Sequence, residues 1–298
     1  MKAELEFKQV NLHYGPVHAL KNINLVFRPH KIYGLFGRNG AGKTSLLSLI
    51  ASFQKPSSGT VTLNEETLFE NARLTPFVYF VYPRSFETDY HKAKRKLEIL
   101  ARHRVYFDMG YALDLADKFK LDLNSPVNTF SKGMAGIFQI ICGLAARAPV
   151  TIFDEAYLGI DEPVRKLFYD ELLDEQTRLP RTFILSTRFA SEMEHLLEEI
   201  IVLSEGKVVL HDDYTSIISK GISVTGDAEI VDAITKPYEI LNEERLGTGK
   251  SVAVYGEIPS ETLQQARKSG LRISTLRFQD VITQLTKGEE HNETEHRR

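Results

Sequence analysis

One cysteine stands in 298 residues, so no disulfide can form within the chain. Cys142 lies in the apolar segment IFQIICGLAA, where a buried structural thiol is the expected state, and a reducing compartment suits such a chain. No apolar run approaches the roughly 20 residues that a membrane helix needs. The N-terminus, MKAELEFKQV, alternates charged and apolar residues instead of carrying the apolar core of a signal peptide. The chain is therefore expected to be soluble, with any membrane role borrowed from a partner. A surplus of positive charge is also missing. The formal net charge is −3, which argues against tight nucleic-acid binding, since that takes a basic face. No internal repeat is evident, and only the end of the chain, EEHNETEHRR within 288–298, reads as a disordered polar tail. What is present is 42% hydrophobic content, enough for a substantial core in one large domain or a domain with an appendage.

The most informative stretch is GRNGAGKTS, from Gly37 to Ser45, which matches G-x-x-x-x-G-K-[ST] at every defined position. It follows the apolar run Ile32, Tyr33, Gly34, Leu35, Phe36 and precedes the helical run SLLSLIASF, the two flanks a phosphate loop requires. A glycine-rich turn between a buried strand and a helix start aims several backbone N–H groups into one concavity, and the helix dipole adds to them. The expected ligand surface comprises Gly37, Arg38, Asn39, Gly40, Ala41, Gly42, Lys43, Thr44 and Ser45. Gly37, Gly40 and Gly42 supply backbone freedom, and Lys43 would sit between the terminal phosphates. The Thr44 hydroxyl would ligate their magnesium, and Ser45 would donate to an inner phosphate.

Alternation predicts strands over Leu5–Tyr14 and Asn22–Phe27, separated by a Tyr-Gly-Pro turn. Tyr14 in that turn would either stack on a purine ring or pack on its own sheet. Further strands are expected at Gly59–Leu63 and in FVYFVY, Phe77–Tyr82. Between Glu87 and Ala148 the pattern turns helical. There the basic segment HKAKRKLEILARHR reads as a solvated helix face, or as one meeting acidic groups or lipid headgroups. Ser131 opens the helical run that contains MAGIFQIICGLAAR, as an anion site or a plain N-cap. In VTIFDEAYLGID, Val150 to Asp161, a buried strand delivers two carboxylates at its C-terminal end, where ligands bind in α/β folds. Asp154 would hold the magnesium shell, and Glu155 would act as general base on the attacking water.

The segment EPVRKLFYDELLDEQTRL spaces Val164, Leu167, Phe168 and Leu172 as a helix covering the sheet. RTFILST, Arg181 to Thr187, is a further buried strand that ends at Arg188. A helix SEMEHLLEE, with His195 as a surface or cap residue, and a hairpin IIVLSEGKVVL close this part near Asp212. Short strands and helices from about Ser216 to Leu285 read as a small α+β appendage without a chemical motif. A regulatory, dimerising or docking role is what that absence leaves.

Together these stretches resemble the nucleotide-binding subunit of ATP-binding cassette transporters over Leu5 to Asp212. The resemblance implies an α/β P-loop NTPase cassette with an antiparallel β subdomain and a helical subdomain at 87–148, plus the small C-terminal α+β appendage. Its implied division is a cassette at 1–215, an accessory domain at 216–287 and a tail at 288–298. It makes Tyr14 the adenine-stacking aromatic and Gly37–Ser45 the Walker A loop. Val150–Glu155 becomes Walker B with its catalytic glutamate, and Leu158–Asp161 the D-loop. The signature reads Ser131-Lys132-Gly133-Met134 where the family usually has Ser-Gly-Gly-Gln. In this family two units pair head to tail, so Ser131 and Gly133 would touch ATP held by the other subunit. Mg2+ and ATP are the implied cofactors, and an integral-membrane permease and a second ATPase subunit the implied partners.

Three positions depart from the family. Tyr82 or Pro83 falls where a glutamine usually ends the strand, and Ala156-Tyr157 replaces Pro-Thr. Arg188 stands where a histidine normally contacts the terminal phosphate. Arginine is permanently charged, so it would hold that phosphate without exchanging a proton. A site that binds ATP but turns it over slowly, within a heterodimer, is the resulting alternative to a fully active ATPase. A homodimer is another, and a non-transport cassette acting on ribosomes or DNA a third. The finer likeness is to ATPases of Gram-positive exporters of peptides and antibiotics, the acetoin-operon-like and phenol-soluble-modulin-exporter-like groups. A cytoplasmic subunit on the inner face of the membrane is the expected setting.

Overall fold

Apolar alternation shapes β1 (Leu5–Tyr14), whose Leu5, Phe7, Val10 and Leu12 face inward, and β2 (Val17–Phe27). In this computed structural model β2 begins at Val17 rather than at Asn22, because the register Tyr14↔Val17 and His13↔His18 carries pairing down to the turn. The structure describes residues 3–187, 190–247 and 249–286; Arg188 and the tail at 288–298 lie outside them. The described residues group into two units, one of 3–35, 40–187 and 205–207, the other of 36–39, 190–204, 208–247 and 249–286.

β3 (Ile32–Phe36) leads through the glycine-rich loop into α1 (Lys43–Ile50). β4 (Ser58–Leu63) and β5 (Glu66–Thr67) complete an antiparallel sheet ordered β2-β1-β4-β5. β6 (Val78–Val81) precedes three helices in the stretch read as helical: α2 (Ala93–His103), α3 (Met109–Lys118) and α4 (Lys132–Ala145). β7 (Val150–Asp154), α5 (Glu162–Arg178) and β8 (Thr182–Ser186) follow. β3, β8, β7 and β6 pair in that order, all parallel. β3, β7 and β8 are buried at every position, which is why they read as continuous apolar runs instead of alternating. Phe168 and Leu172 of α5 are buried, and Val164 and Leu167 are half-buried. Of the basic helix α2 only Ala93 and Leu97 are buried. Its charges meet local partners, Arg95 with Glu98 and Lys96 with Asp89.

A buried charge cluster ties the helices to this sheet. Glu175 of α5 is fully buried and accepts from Arg181 Nη1 at 2.7 Å and Arg147 Nε at 2.9 Å. Arg181 also donates to the Leu144 carbonyl of α4 at 2.8 Å. Burial works to lower the Arg181 pKa, and Glu175 opposes it.

The second unit begins with α6 (Ala190–Met193) and a 3-10 turn, Glu194–Leu196. The longer helix expected there is cut short because Leu196 and Leu197 are both buried, and the chain must turn into β9 (Glu199–Ser204). His195 is exposed. β10 (Lys207–Asp213) neighbours β9, and α7 (Tyr214–Lys220) follows. Then come β11 (Gly221–Asp227), α8 (Ala228–Thr235), β12 (Glu239–Leu246), β13 (Gly249–Tyr255), α9 (Ser260–Lys268), β14 (Arg272–Thr275) and α10 (Phe278–Leu285). The run from β11 to β14 is a βαββαβ unit whose antiparallel sheet is ordered β12-β13-β11-β14, the ferredoxin-like arrangement. Ile222, Val224, Val252 and Val254 form its core with Val231 of α8 and Ala266 of α9. Between those positions lie Ser223, Thr225 and Ser251, whose hydroxyls approach one another.

Candidate functional site

Register sets the site. Leu35 is level with Ser186 across β3 and β8, and Asp154 is level with Ser186 across β7 and β8. The C-terminal ends of three parallel strands therefore finish side by side, and two of them lead into the segments singled out as ligand-binding. The hydroxyl of Thr44, in the first turn of α1, donates to Asp154 Oδ2 at 2.8 Å, joining the glycine-rich loop to β7. Asp154 and Lys43 are buried, whereas Thr44 and the loop residues Arg38, Asn39 and Gly40 are exposed. Ala41 is buried and Ser45 half-buried.

Gly42 caps α1 in the left-handed conformation, φ +104°, and brings no side-chain acceptor to the helix start. A Cβ there would meet the Ala19 carbonyl at 2.7 Å and Leu20 Cδ2 at 2.9 Å, so β2 runs directly against the loop and only glycine fits. The same hairpin carries Tyr14 at its tip, with 44% of its surface exposed. Gly37 and Gly40 also have positive φ.

Glu155 follows β7 directly, and its φ of +47° is a left-handed conformation that costs a non-glycine residue about 1–3 kcal/mol. The surroundings impose it. The Glu155 N–H donates to the Ser186 carbonyl at 3.2 Å, and the Leu158 N–H donates to the Glu155 carbonyl at 3.1 Å. The hydroxyl of Tyr157, itself buried, donates to the same Ser186 carbonyl at 3.0 Å. Burial pushes the Tyr157 phenol well above its ordinary pKa, so it stays a donor at neutral pH. Tyr157 had no role in the sequence reading beyond replacing a Pro-Thr pair; a tyrosine flanking two acidic residues was the only signal.

Ser131 caps α4, its Oγ accepting from the Met134 N–H at 3.2 Å, which is the plain N-cap geometry. Gly133 lies so near the Leu158–Asp161 turn that a Cβ would meet the Gly159 carbonyl at 3.1 Å. Asp161 is the exposed N-cap of α5, and its carbonyl accepts from Val164 and Arg165. Glu155, Lys132, Pro83, Phe86 and Gln139 line one cavity of about 450 Å³. Gln139, buried on α4, is a polar side chain in an apolar helix that sequence reasoning passed over. Tyr82 instead joins Phe53 and Phe80 in an aromatic cluster beside a second cavity of about 170 Å³. Arg188 lies outside the described residues.

Residues 20–158 match the family model described as ABC transporter. They form an ABC transporter ATP-binding domain. The matched stretch includes Gly37–Ser45, Ser131–Met134, Asp154 and Glu155, while Tyr14 and Asp161 fall outside it. The chain is 25% identical to a Nod factor export ATP-binding protein I of Sinorhizobium fredii, over 95% of this chain and 85% of that one. It is 28% identical to the ABC transporter ATP-binding protein NatA of Bacillus subtilis, over 65% of this chain and 81% of that one. A solved ATP-binding subunit of an ABC transporter superposes with a TM-score of 0.64 at 21% identity, covering 78% of this chain and 92% of that one. A dimeric ATP-binding cassette in a post-hydrolysis state with ADP and Pi gives 0.62 at 20% identity, over 70% and 98%.

The fold is thus the P-loop ATPase cassette, and the domain is that of a transporter's ATPase subunit. Cassettes of this kind bind ATP and ADP and work with membrane permeases. Among the described residues no helix is long and apolar enough to cross a membrane. The donor set fits magnesium: Thr44 and Asp154 offer hard oxygens within hydrogen-bond distance of each other, and the Ser186 hydroxyl, level with Asp154, is buried with no hydrogen-bond partner among the described residues. The described residues hold no group of three or more His, Cys, Asp or Glu able to cage a metal.

Proposed function

We propose that this chain is the ATP-hydrolysing subunit of a membrane exporter of peptides or antimicrobial compounds. It is cytoplasmic, sits on the inner face of the membrane through a separate permease, and closes as a dimer around nucleotide. The observation that carries this reading is the Thr44–Asp154 hydrogen bond, which joins the phosphate loop to the strand that presents Glu155. Export is favoured by the Nod factor export protein that aligns over 95% of this chain. The cassette occupies 1–215, and 216–287 form an accessory domain.

Lys43 and the loop amides, from Gly37 to Gly42, neutralise the terminal phosphates, and Ser45 donates to an inner one. Thr44 and Asp154 hold Mg2+, which supplies charge neutralisation at the phosphate oxygens when bound. Glu155, fixed by its backbone bond to Ser186, accepts the proton of the attacking water. Tyr14 stacks on the adenine, Arg188 holds the terminal phosphate, and Ser131, Gly133 and Asp161 serve nucleotide at the dimer seam. Affinity purification of the chain from membranes tests the assignment. Recovery of an integral-membrane permease is expected, and recovery with ribosomes instead would overturn it.

A second reading, an ATP clamp with little turnover of its own inside a heterodimer, is motivated by Arg188 and by Lys132, which lines the same cavity as Glu155. Hydrolysis by the purified chain, before and after Arg188→His, separates the two. Robust wild-type activity rules out the clamp.

A further inference from the structure

The residues 36–39, which include the first half of the phosphate loop, group with the C-terminal unit and not with the rest of the loop. Phe36, the last residue of β3, is buried, and its ring meets the edge of Phe278 at 5.6 Å between centroids and an interplanar angle of 83°. Phe278 opens α10, is 1% exposed, and packs in turn on Tyr214 at 5.2 Å. The next residue, Gln279, accepts the Ser191 N–H of α6 through Oε1 at 3.3 Å. Arg277 holds this end of α10 with a two-point ion pair to Asp280 at 2.8 and 3.0 Å.

These contacts bear on the loop because Gly37, the residue after Phe36, has a φ of +153° and no Cβ to restrict it. The Phe36 ring is thus a buried side chain held by packing immediately before the loop begins. We propose that Phe278 is a positioning residue for the nucleotide site. The C-terminal helix α10 clamps Phe36, so binding of ATP at the loop and seating of α10 are thermodynamically coupled. The inference rests on the reading of Gly37–Ser45 as an ATP site, and it gives the accessory domain a task, that of reporting on or adjusting nucleotide affinity from the far end of the chain. Coupling of this kind is reciprocal: whatever holds α10 in place tightens nucleotide, and nucleotide holds α10 in place.

The test uses the full chain and fluorescent mant-ATP with magnesium. Loss of an edge-to-face aromatic pair corresponds to a weakening of about two- to tenfold, so Phe278→Ala is expected to bind mant-ATP more weakly by that factor. Val252→Ala, a truncation inside the accessory core and away from Phe36, controls for general loosening and is expected to keep wild-type affinity. Unchanged affinity in a folded Phe278→Ala chain overturns the proposal, and so does an equal loss in Val252→Ala. Amide hydrogen exchange on the wild-type chain provides an arm that needs no variant. Magnesium-ATP is expected to slow exchange across 278–285, and no change there overturns the coupling. Failure of the wild-type chain to bind mant-ATP overturns the ATP reading itself, and this inference with it. Wild-type binding with an unaffected Phe278→Ala overturns the coupling alone.

Discussion

The end of β7 and the accessory sheet β12-β13-β11-β14 obey opposite rules. In the accessory sheet β11 pairs β13 residue for residue from Gly221↔Tyr255 to Asp227↔Gly249, and its apolar residues alternate toward two covering helices. Around the end of β7 a glutamate is held in a left-handed conformation, the Ser186 hydroxyl at the end of β8 is buried with no hydrogen-bond partner among the described residues, and a tyrosine hydroxyl donates to a strand-end carbonyl. Local regularity is what packing alone produces; departures from it persist only where surrounding structure imposes them, and they gather at sites that act on ligands. On the proposed function the first region serves chemistry and the second packing, and each reading can be broken by mutation.

The largest effect is expected at Glu155. Glu155→Gln keeps the size and the backbone contacts but removes the proposed proton acceptor, and a general base contributes about 10²–10⁴-fold to rate. Steady-state hydrolysis by the complex reconstituted with its permease should fall by that order, with the thermal midpoint of the chain unchanged. Undiminished turnover would show that the strained backbone at Glu155 serves something other than the base.

Next comes the buried charge cluster of the first unit, where stability and not chemistry is at stake. Glu175→Ala would leave Arg181 buried without its carboxylate, and breaking a buried pair from one side costs about 3–5 kcal/mol. Urea unfolding should show a loss of that size. The accessory core should respond far less. Ile222→Val removes one methylene from a well-packed site, and such changes cost about 0.5–1.5 kcal/mol. An accessory variant that cost as much as Glu175→Ala would blur the distinction between the two regions.

How much of this was readable from the chain follows the same contrast. Gly37–Ser45 and Val150–Glu155 are contiguous stretches, so both could be picked out by spacing. Thr44 and Asp154 were paired in role through the metal they would share, and the structure brings them to 2.8 Å. The strand order of the accessory unit could not be read, because β11 pairs with β13 and β14 through connections that no local pattern encodes. The support under Glu155 was equally hidden, since Tyr157 reaches a carbonyl on β8 that becomes its neighbour only through the β7–β8 register. The Phe36–Phe278 contact joins the two ends of the sequence and left no trace in either segment.

The smallest expected effect belongs to Asp89, an ion-paired group on the cassette's helical side with no strain attached. Burial disfavours its ionised form, but hydrogen bonds from Lys96 and His91 outweigh that and hold its pKa down at about 2, from an ordinary value of 3.8. A depressed folded-state pKa means that the contribution to stability is complete above the unfolded value, and it disappears as pH falls through the folded one. Lys96→Met removes the main attractive partner. The wild-type chain should exceed this variant in thermal midpoint at pH 5, the margin should shrink between about pH 4 and pH 2, and it should vanish below. The pair is partly exposed and screened, so the margin is expected to stay within about 1 kcal/mol. A margin that persisted unchanged at pH 2 would mean that Lys96 stabilises the segment through its contact with the Phe86 ring, 5.9 Å away, instead of through Asp89.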